Sequence, residues 1–394
     1  MVVMRFASSI TAAPETDRAV PDLIEPIQAR MTAGMVDIVF LFCTSDFVED
    51  LAEITDRLSD AFPHAVFLGC TAEGTIANGM EIERQPSMSL MAASLPDVLV
   101  RPFHVTQENL EAVQSPLDWE RIVAVAPESR PAFVAFADPF RVDVHGFLDQ
   151  LNAVYPGAPV VGGIASAASK PRENRLIVGN KIVDEGIVGI SLAGRFEIRT
   201  VVSQGCRPIG KPFVVTKGDR NIIRELGGQP ALAQLQDVLS KLSKDDEELA
   251  GQSLFVGRVI DEYKDGFTRG DFLIHNIIGV DKKTGAIGIA GLARVGATVQ
   301  FHVRDADTAD EDIHALLAPH ADKGVRGAML FGCNGRGTRM WPEPGHDASA
   351  VRSVLGEVPL AGFFCGGEFG PVGGKNFIHG FTASIALFCD GNSK

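Results

Sequence analysis

Three stretches of the chain repeat one order of hydrophobic and polar positions. The first opens on the unbroken apolar run "VDIVFLFC". It continues into "SDFVEDLAEITDRLSDAF", where Val48, Leu51, Ile54 and Leu58 recur at helical spacing, with Ser45 or Asp46 placed to cap the start. A second apolar run, "AVFLGC", then opens into "TAEGTIANG" and "SMSLMAAS". Continuous apolar runs of this length predict strands buried on both faces, as in a parallel sheet, and the stripe predicts a helix packed on that sheet.

The order returns in "PAFVAFADP", then "VDVHGFLDQLNAVYP" with Val144, Phe147, Leu148 and Leu151 at helical spacing, then "APVVGGIASAAS" and "RLIVGNKIVDEGIVGISLAG". It returns again in "GAMLFGCNGRG", a short helix "HDASAVRSVLG" capped by Asp347, "VPLAGFFCGGEFG" and "FTASIALF". The pattern predicts a mixed α/β fold of two related domains built from repeated strand–helix–strand–loop–strand units, with mixed β-sheets flanked by helices. Before the first unit, "DLIEPIQARM" reads as a helix. Between the second and third units, "ALAQLQDVLSKLSKDDEELAG" reads as one helix with a charged end, and the text from 253 to 304 is β-rich.

Composition narrows the function classes. A chain of 394 residues is long for one core. With 50 acidic and 36 basic residues the net charge is -14, which disfavours nucleic acid as a partner. No apolar run is long enough for membrane insertion, and "MVVMRFASSITAAPETDRAV" lacks the apolar region of a signal peptide. Cytoplasmic localisation is expected, with all six cysteines as thiols. No C-x-x-C pair, calcium-loop order or Walker pattern occurs, so no metal or cofactor is expected.

Glycine loops at the ends of parallel strands are where α/β sheets hold ligands. Three are expected here, at 70–74, 162–166 and 365–374, and units sharing one orientation would bring them together. The third carries the most polar chemistry. Cys333, Asn334 and Arg336 lie at one strand exit, and Cys365, Glu368, Asn376 and His379 at and after the other. Glu73 stands in the first loop in a place similar to Glu368, and Cys70 in a place similar to Cys365. A carboxylate at Glu368 or Glu73 suits an ammonium group, and Arg336 or Arg294 suits a carboxylate. Together they fit a small zwitterion. Cys365 or Cys333 with His379 as base is the alternative set, that of a cysteine-dependent hydrolase or transferase. A protein-interaction scaffold is the third reading. Trp341 can lid a pocket or anchor packing.

The stretches "FLGCTAEGTI", "SQGCRPIGKPFVVTK", "DEYKDGFTRGDFLIHNIIGVD", "LFGCNGRG" and "GFFCGGEFGPVGGKNFIHGFTASIALF" resemble FIST proteins, the two-part sensory module of bacterial signal-transduction proteins and some eukaryotic F-box proteins. The resemblance divides the chain into a lead-in (1–33), a FIST N domain (34–226), a FIST C domain (227–374) and a final strand (375–394). It implies a non-enzymatic sensor of a small polar metabolite such as an amino acid. It also implies a separate signalling partner such as a histidine kinase, a cyclase or a chemoreceptor.

Overall fold

The computed structural model describes residues 3–32 and 35–391. It is mixed α/β and divides into two compact units. The first holds the described residues up to Val202, Ile313–Ile378 and those from Thr382 onward; the second holds Ser203–Asp312 and His379–Phe381. The boundary near 226 suggested by the resemblance falls inside the second unit, so this division follows a different cut.

The first unit opens with β1 (Arg5–Thr11) and α1 (Thr16–Gln28). Its first repeat is β2 (Ile38–Cys43), α2 (Leu51–Ala61), β3 (Val66–Thr71), a hairpin of β4 (Gly74–Ala77) and β5 (Met80–Glu83), and β6 (Met88–Ser94). After β7 (Val98–Val105), α3 (Gln107–Ala112) and α4 (Pro116–Val123), the second repeat is β8 (Ala132–Ala137), α5 (Val144–Val154), β9 (Val160–Ile164), the hairpin β10 (Leu176–Val178) and β11 (Lys181–Val183), and β12 (Ile187–Gly194). β13 (Phe196–Gln204) follows.

The second unit is built from β14 (Cys206–Asp219), β15 (Ile222–Leu226), β16 (Gln229–Pro230), α6 (Ala231–Leu239), α7 (Lys244–Gln252), β17 (Leu254–Val259), β18 (Phe272–Asp281), β19 (Ala286–Ile289) and β20 (Thr298–Arg304), followed by α8 (Ala306–Leu317). Its pairings run β14-β20-β17-β18-β19-β15 and close back from β15 to β14, an antiparallel ring around Val256, Phe301 and Leu226. The single helix expected over 231–251 is two. Ser243 caps the second, its hydroxyl accepting from Asp246 N at 3.2 Å.

The third repeat lies in the first unit: β21 (Val325–Cys333), α9 (His346–Leu355), β22 (Leu360–Cys365), the hairpin β23 (Glu368–Val372) and β24 (Lys375–His379), and β25 (Thr382–Asp390). Within each repeat the first two strands pair in parallel and the last strand returns antiparallel to the first. The sheets are β1-β6-β2-β3-β10-β11, β24-β23-β9-β8-β12-β7 and β13-β25-β21-β22-β4-β5.

The hairpins do not stay at home. The first repeat's β4–β5 joins the third repeat's sheet, the second's β10–β11 joins the first's, and the third's β23–β24 joins the second's. This exchange is cyclic and ties the three repeats into one body. Asn78 and Gly79 both take positive φ, 50° and 79°, which closes β4–β5 by a two-residue turn of the kind hairpins favour. The stretch expected as the third glycine loop is therefore largely the hairpin β23–β24, closed by Gly373 and Gly374.

Alternation along the strands separates two faces. Phe40, Phe42, Val134, Phe136, Met329, Phe331 and Phe363 point into one core shared by all three sheets. Outward residues meet helices. Val39 and Leu41 pack with α1 and α2, Phe133 and Ala135 with α4 and α5, and Ala328 and Leu330 with α8 and α9. β1 went unseen in the sequence. It pairs along its full length with β6.

Candidate functional site

Register makes the three repeats comparable residue by residue. Gly69 stands opposite Leu41, Gly162 opposite Ala135 and Gly362 opposite Leu330. A Cβ on each would sit 2.0, 1.9 and 1.7 Å from the carbonyl oxygen of that partner, so all three strand pairs require glycine at the same place. Three residues beyond, the second strands reach Ala72, Ala165 and Cys365, and the first strands reach Thr44, Asp138 and Cys333. On the exchanged hairpins, Thr75 faces Phe363, Leu176 faces Cys70 and Glu368 faces Gly163. The expected equivalences therefore change. Cys365 corresponds to Ala72 rather than Cys70, and Glu368 corresponds to Thr75 rather than Glu73.

The strand exits of the three repeats meet. Ser166 Oγ donates to Phe364 O at 2.5 Å and accepts from Glu73 N at 2.9 Å. Gly366 N donates to Ile164 O, and Ile164 N to Gly367 O. Arg339 pairs with Glu73 and donates from Nη1 to Asn334 O at 2.6 Å. Beneath this layer, Phe42, Phe136 and Phe331, one from each repeat, all contact Phe363 with ring centroids 4.9 to 5.7 Å apart. The convergence expected of loops sharing an orientation is present within the first unit.

Glu368 is fully buried at this junction. Its Oε2 accepts from Thr382 Oγ1 at 2.7 Å and from Thr382 N at 3.2 Å, while Oε1 makes no well-aligned hydrogen bond to the protein, with the Cys333 thiol close to the carboxyl. Burial pushes its pKa up to about 8, against the Thr382 bonds, the charge of Arg336 and the Cys333 thiol, which all work to lower it. The carboxyl thus holds its proton at neutral pH. In the first repeat the corresponding contact is Thr75 Oγ1 to Ser87 Oγ, 2.9 Å, between two hydroxyls.

Asn334 shows the same kind of vacancy in bonding. Its N–H donates to Cys365 O at 3.0 Å, but its buried Oδ1 has no protein partner. Cys333, Asn334, Gly335 and Glu73 are half-exposed, and Gly366 is exposed, so the junction opens to solvent at this end. Cys365 is buried. Burial, then the Glu368, Cys70 and Cys333 charges, raise its pKa well above the ordinary thiol value. That environment keeps Cys365 a neutral thiol, not the activated thiolate expected of a hydrolase nucleophile.

Other expected site residues are committed elsewhere. Arg336 is not an open carboxylate clamp. Its Nε and Nη2 bond Asp347 at 2.6 and 2.7 Å with both side chains buried. Asp347 is therefore not the cap of α9, which starts after Gly345 at φ 87°. Burial works to raise the Asp347 pKa, yet Arg336 and His346 outweigh it and hold it near about 2. Trp341 lies against Arg336, 5.0 Å from its guanidinium, and stacks on His346 at 3.6 Å, an anchoring arrangement rather than a lid.

Asn376 fastens the exchanged hairpin. It accepts from Val160 N at 2.8 Å and donates to Ala158 O and Asn152 Oδ1, both 2.9 Å. Arg294 is exposed between β19 and β20 of the second unit, and buried His379 also falls in that unit, so neither is placed at the junction by the fold of the first unit. Sequence reasoning missed Ser166, Thr382 and Arg339. Contacts across repeats mark Ser166 and Arg339, and its bonds to Glu368 within the third repeat mark Thr382.

An open cleft of about 430 Å³ is lined by His104, Arg175, Ile182, Val183, Asp184 and Glu185. Its carboxylates are already paired, Asp184 with Arg172 and Glu185 with Arg141, so the junction is the stronger candidate. Among the described residues no group of three His, Cys, Asp or Glu side chains is placed to hold a metal ion, and no helix is long and apolar enough to cross a membrane.

The chain is similar to an uncharacterized protein of Mycobacterium tuberculosis, 35% identical over 390 residues, covering 98% of this chain and 100% of the relative. An uncharacterized protein of Mycobacterium bovis is 33% identical over 390 residues, covering 98% and 99%. Among solved structures, a cyanuric acid hydrolase from A. caulinodans aligns over 100% of both chains, with TM-score 0.34 and 9% identity. Residues 37–229 match the FIST N domain and residues 231–371 the FIST C domain, so the chain belongs to the FIST family.

Proposed function

We propose that the chain is a non-enzymatic sensory protein that takes a small polar ligand where the three strand exits meet, and that a separate signalling protein reads the result. FIST domains suggest a signal-transduction sensory role, which supports the general reading. The observation that carries the site is Glu368, a fully buried carboxyl with one oxygen that makes no well-aligned hydrogen bond to the protein. Such an orphan costs about 1–3 kcal/mol. Asn334, at the neighbouring strand exit after Cys333, adds a second buried acceptor without a well-formed bond.

A cation beside Glu368 would draw off its proton, and the carboxylate so formed, with Asn334 Oδ1, would accept from a ligand rich in donors, such as the ammonium group of an amino acid or another small amine. Because Asp347 occupies Arg336, the ligand's carboxylate is not held there. The six cysteines are thiols, which suits a cytoplasmic setting. Closure of the three exits on the ligand would shift the population of conformers that a partner recognises.

Thermal-shift screening with small amines and amino acids, followed by titration calorimetry, tests this. A stabilising compound is expected, with affinity falling about 10- to 100-fold in Glu368→Gln, the loss of one charged hydrogen bond of about 1.5–3 kcal/mol. Arg294→Ala should bind as the parent does. A panel with no stabilising compound, or equal binding by Glu368→Gln, rejects the site.

A further inference from the structure

Cys333 is half-exposed, and the other five cysteines are buried. It ends β21 in direct register with Cys365, the last residue of β22. Neighbouring strands lie about 4.8 Å apart, inside the roughly 4.4–6.8 Å of Cα separation that a disulfide spans. Phe331 and Phe363, two residues before each thiol, both face the shared core, so alternation sends both thiols to the same face.

The two thiols differ in surroundings. Gly335 N–H donates to Cys333 Sγ at 3.4 Å, and the charges of Arg336 and Arg339 act on Cys333. The N–H donor and its half-exposed position leave the Cys333 sulfur open to a small oxidant, with the Glu368 carboxyl also beside it. Cys365 sits behind it, fully buried beside Glu368. The other two exits have no such pair, since Thr44 lies beside Ala72 and Asp138 beside Ala165.

We propose that Cys333 is a peroxide-sensitive modification site and that Cys365 resolves it as a cross-strand disulfide. In the first step the Cys333 sulfur attacks one oxygen of a hydroperoxide. The S–O bond forms and the O–O bond breaks. The departing oxygen leaves as water or an alcohol with the thiol's proton; sulfur is oxidised by two electrons and the peroxide is reduced. In the second step Cys365 Sγ displaces the hydroxyl from Cys333. The S–S bond forms and the S–O bond breaks; the protonated Glu368 carboxyl gives its proton to the leaving hydroxyl, which departs as water, and takes the Cys365 proton in exchange. This step is independent of the ligand reading.

The full chain is treated with limiting hydrogen peroxide, blocked with iodoacetamide and mapped as peptides without reduction. The expected product links the Cys333 and Cys365 peptides with loss of two hydrogens and is reversed by dithiothreitol. In Cys365→Ser, Cys333 is expected to accumulate sulfenic acid that dimedone captures, while Cys333→Ser loses the peroxide response. Circular dichroism confirms that both variants fold, and if either does not, dimedone capture at Cys333 in the unmodified chain during the first seconds serves instead. Oxidation of Cys333 no faster than that of buried Cys389, or of Cys333 with no link to Cys365, overturns the proposal.

Discussion

The first and third repeats bring the same backbone to the junction and furnish it with different chemistry. Thr44, Ala72, Thr75 and Ser87 stand in the first where Cys333, Cys365, Glu368 and Thr382 stand in the third. Strand register, hairpin exchange and the glycine that lets the strands approach are alike. In the first repeat two hydroxyls satisfy each other. In the third a carboxyl takes the hydroxyl's place and keeps one oxygen to spare. The comparison separates what the architecture demands, repeated in every copy, from what one copy alone has acquired.

The largest effects test the shared part. Gly362→Ala would place a methyl 1.7 Å from Leu330 O, and Gly69→Ala one 2.0 Å from Leu41 O. Backbone on one side and a strand on the other leave no room to yield, so each should cost about 3 kcal/mol or more and deplete soluble protein. Gly332→Ala, where the nearest atom is 3.7 Å away, is the tolerated control. If Gly362→Ala folds with unchanged stability while Gly69→Ala does not, the repeats are not equivalent.

An effect of the same order tests what the third repeat adds. Asp347→Ala removes the carboxylate that holds Arg336, whose side chain is 0% exposed. Losing one partner of a buried pair costs about 3–5 kcal/mol, measurable as a lower urea midpoint. A loss under about 1 kcal/mol would place this pair with surface pairs and return Arg336 to the list of ligand-binding candidates.

The repeats were legible because both parallel strands of each unit are apolar on two faces and the helix between them keeps its stripe. Asn78-Gly79 announced its turn for the same local reason. What the sequence hid was long-range. Nothing in "EFGPVGGKNFIH" says that it will pair with β9, because hairpin exchange is decided by which sheet edge is open, not by local propensity. Counting letters from a cysteine aligned Cys365 with Cys70, whereas the contact of Gly362 with Leu330 aligns it with Ala72. Arg336 read as an available guanidinium because its partner lies eleven residues on, at the start of α9. Ser166 and Thr382 are small polar residues with no signal until their partners are in place. Glu368 stands out in the sequence as an acid in a glycine-rich loop, but its burial and spare oxygen belong to the fold alone.

The smallest predicted effect isolates that residue. An ordinary glutamate releases its proton near 4.5, while Glu368 in the folded chain holds it to about 8. Between those values the unfolded chain binds fewer protons than the native one, so this group makes stability fall as pH rises, and the fall is complete above about 8. Glu81 acts in the same direction but is raised only to about 7, chiefly by burial and then by the charge of Asp347. His302, which burial keeps neutral down to about 4, acts in the opposite direction and only below its ordinary 6.5. Of these three groups, Glu368 alone titrates between about 7 and about 8. Melting temperature followed across that interval should decline in the parent and level off in Glu368→Gln, whose amide oxygen still accepts from Thr382. Thr75→Val changes the matching contact in the first repeat and removes nothing that titrates, so its decline should parallel the parent's. Were Glu368→Gln to keep the parent's slope over this interval, the third repeat would differ from the first in shape but not in charge.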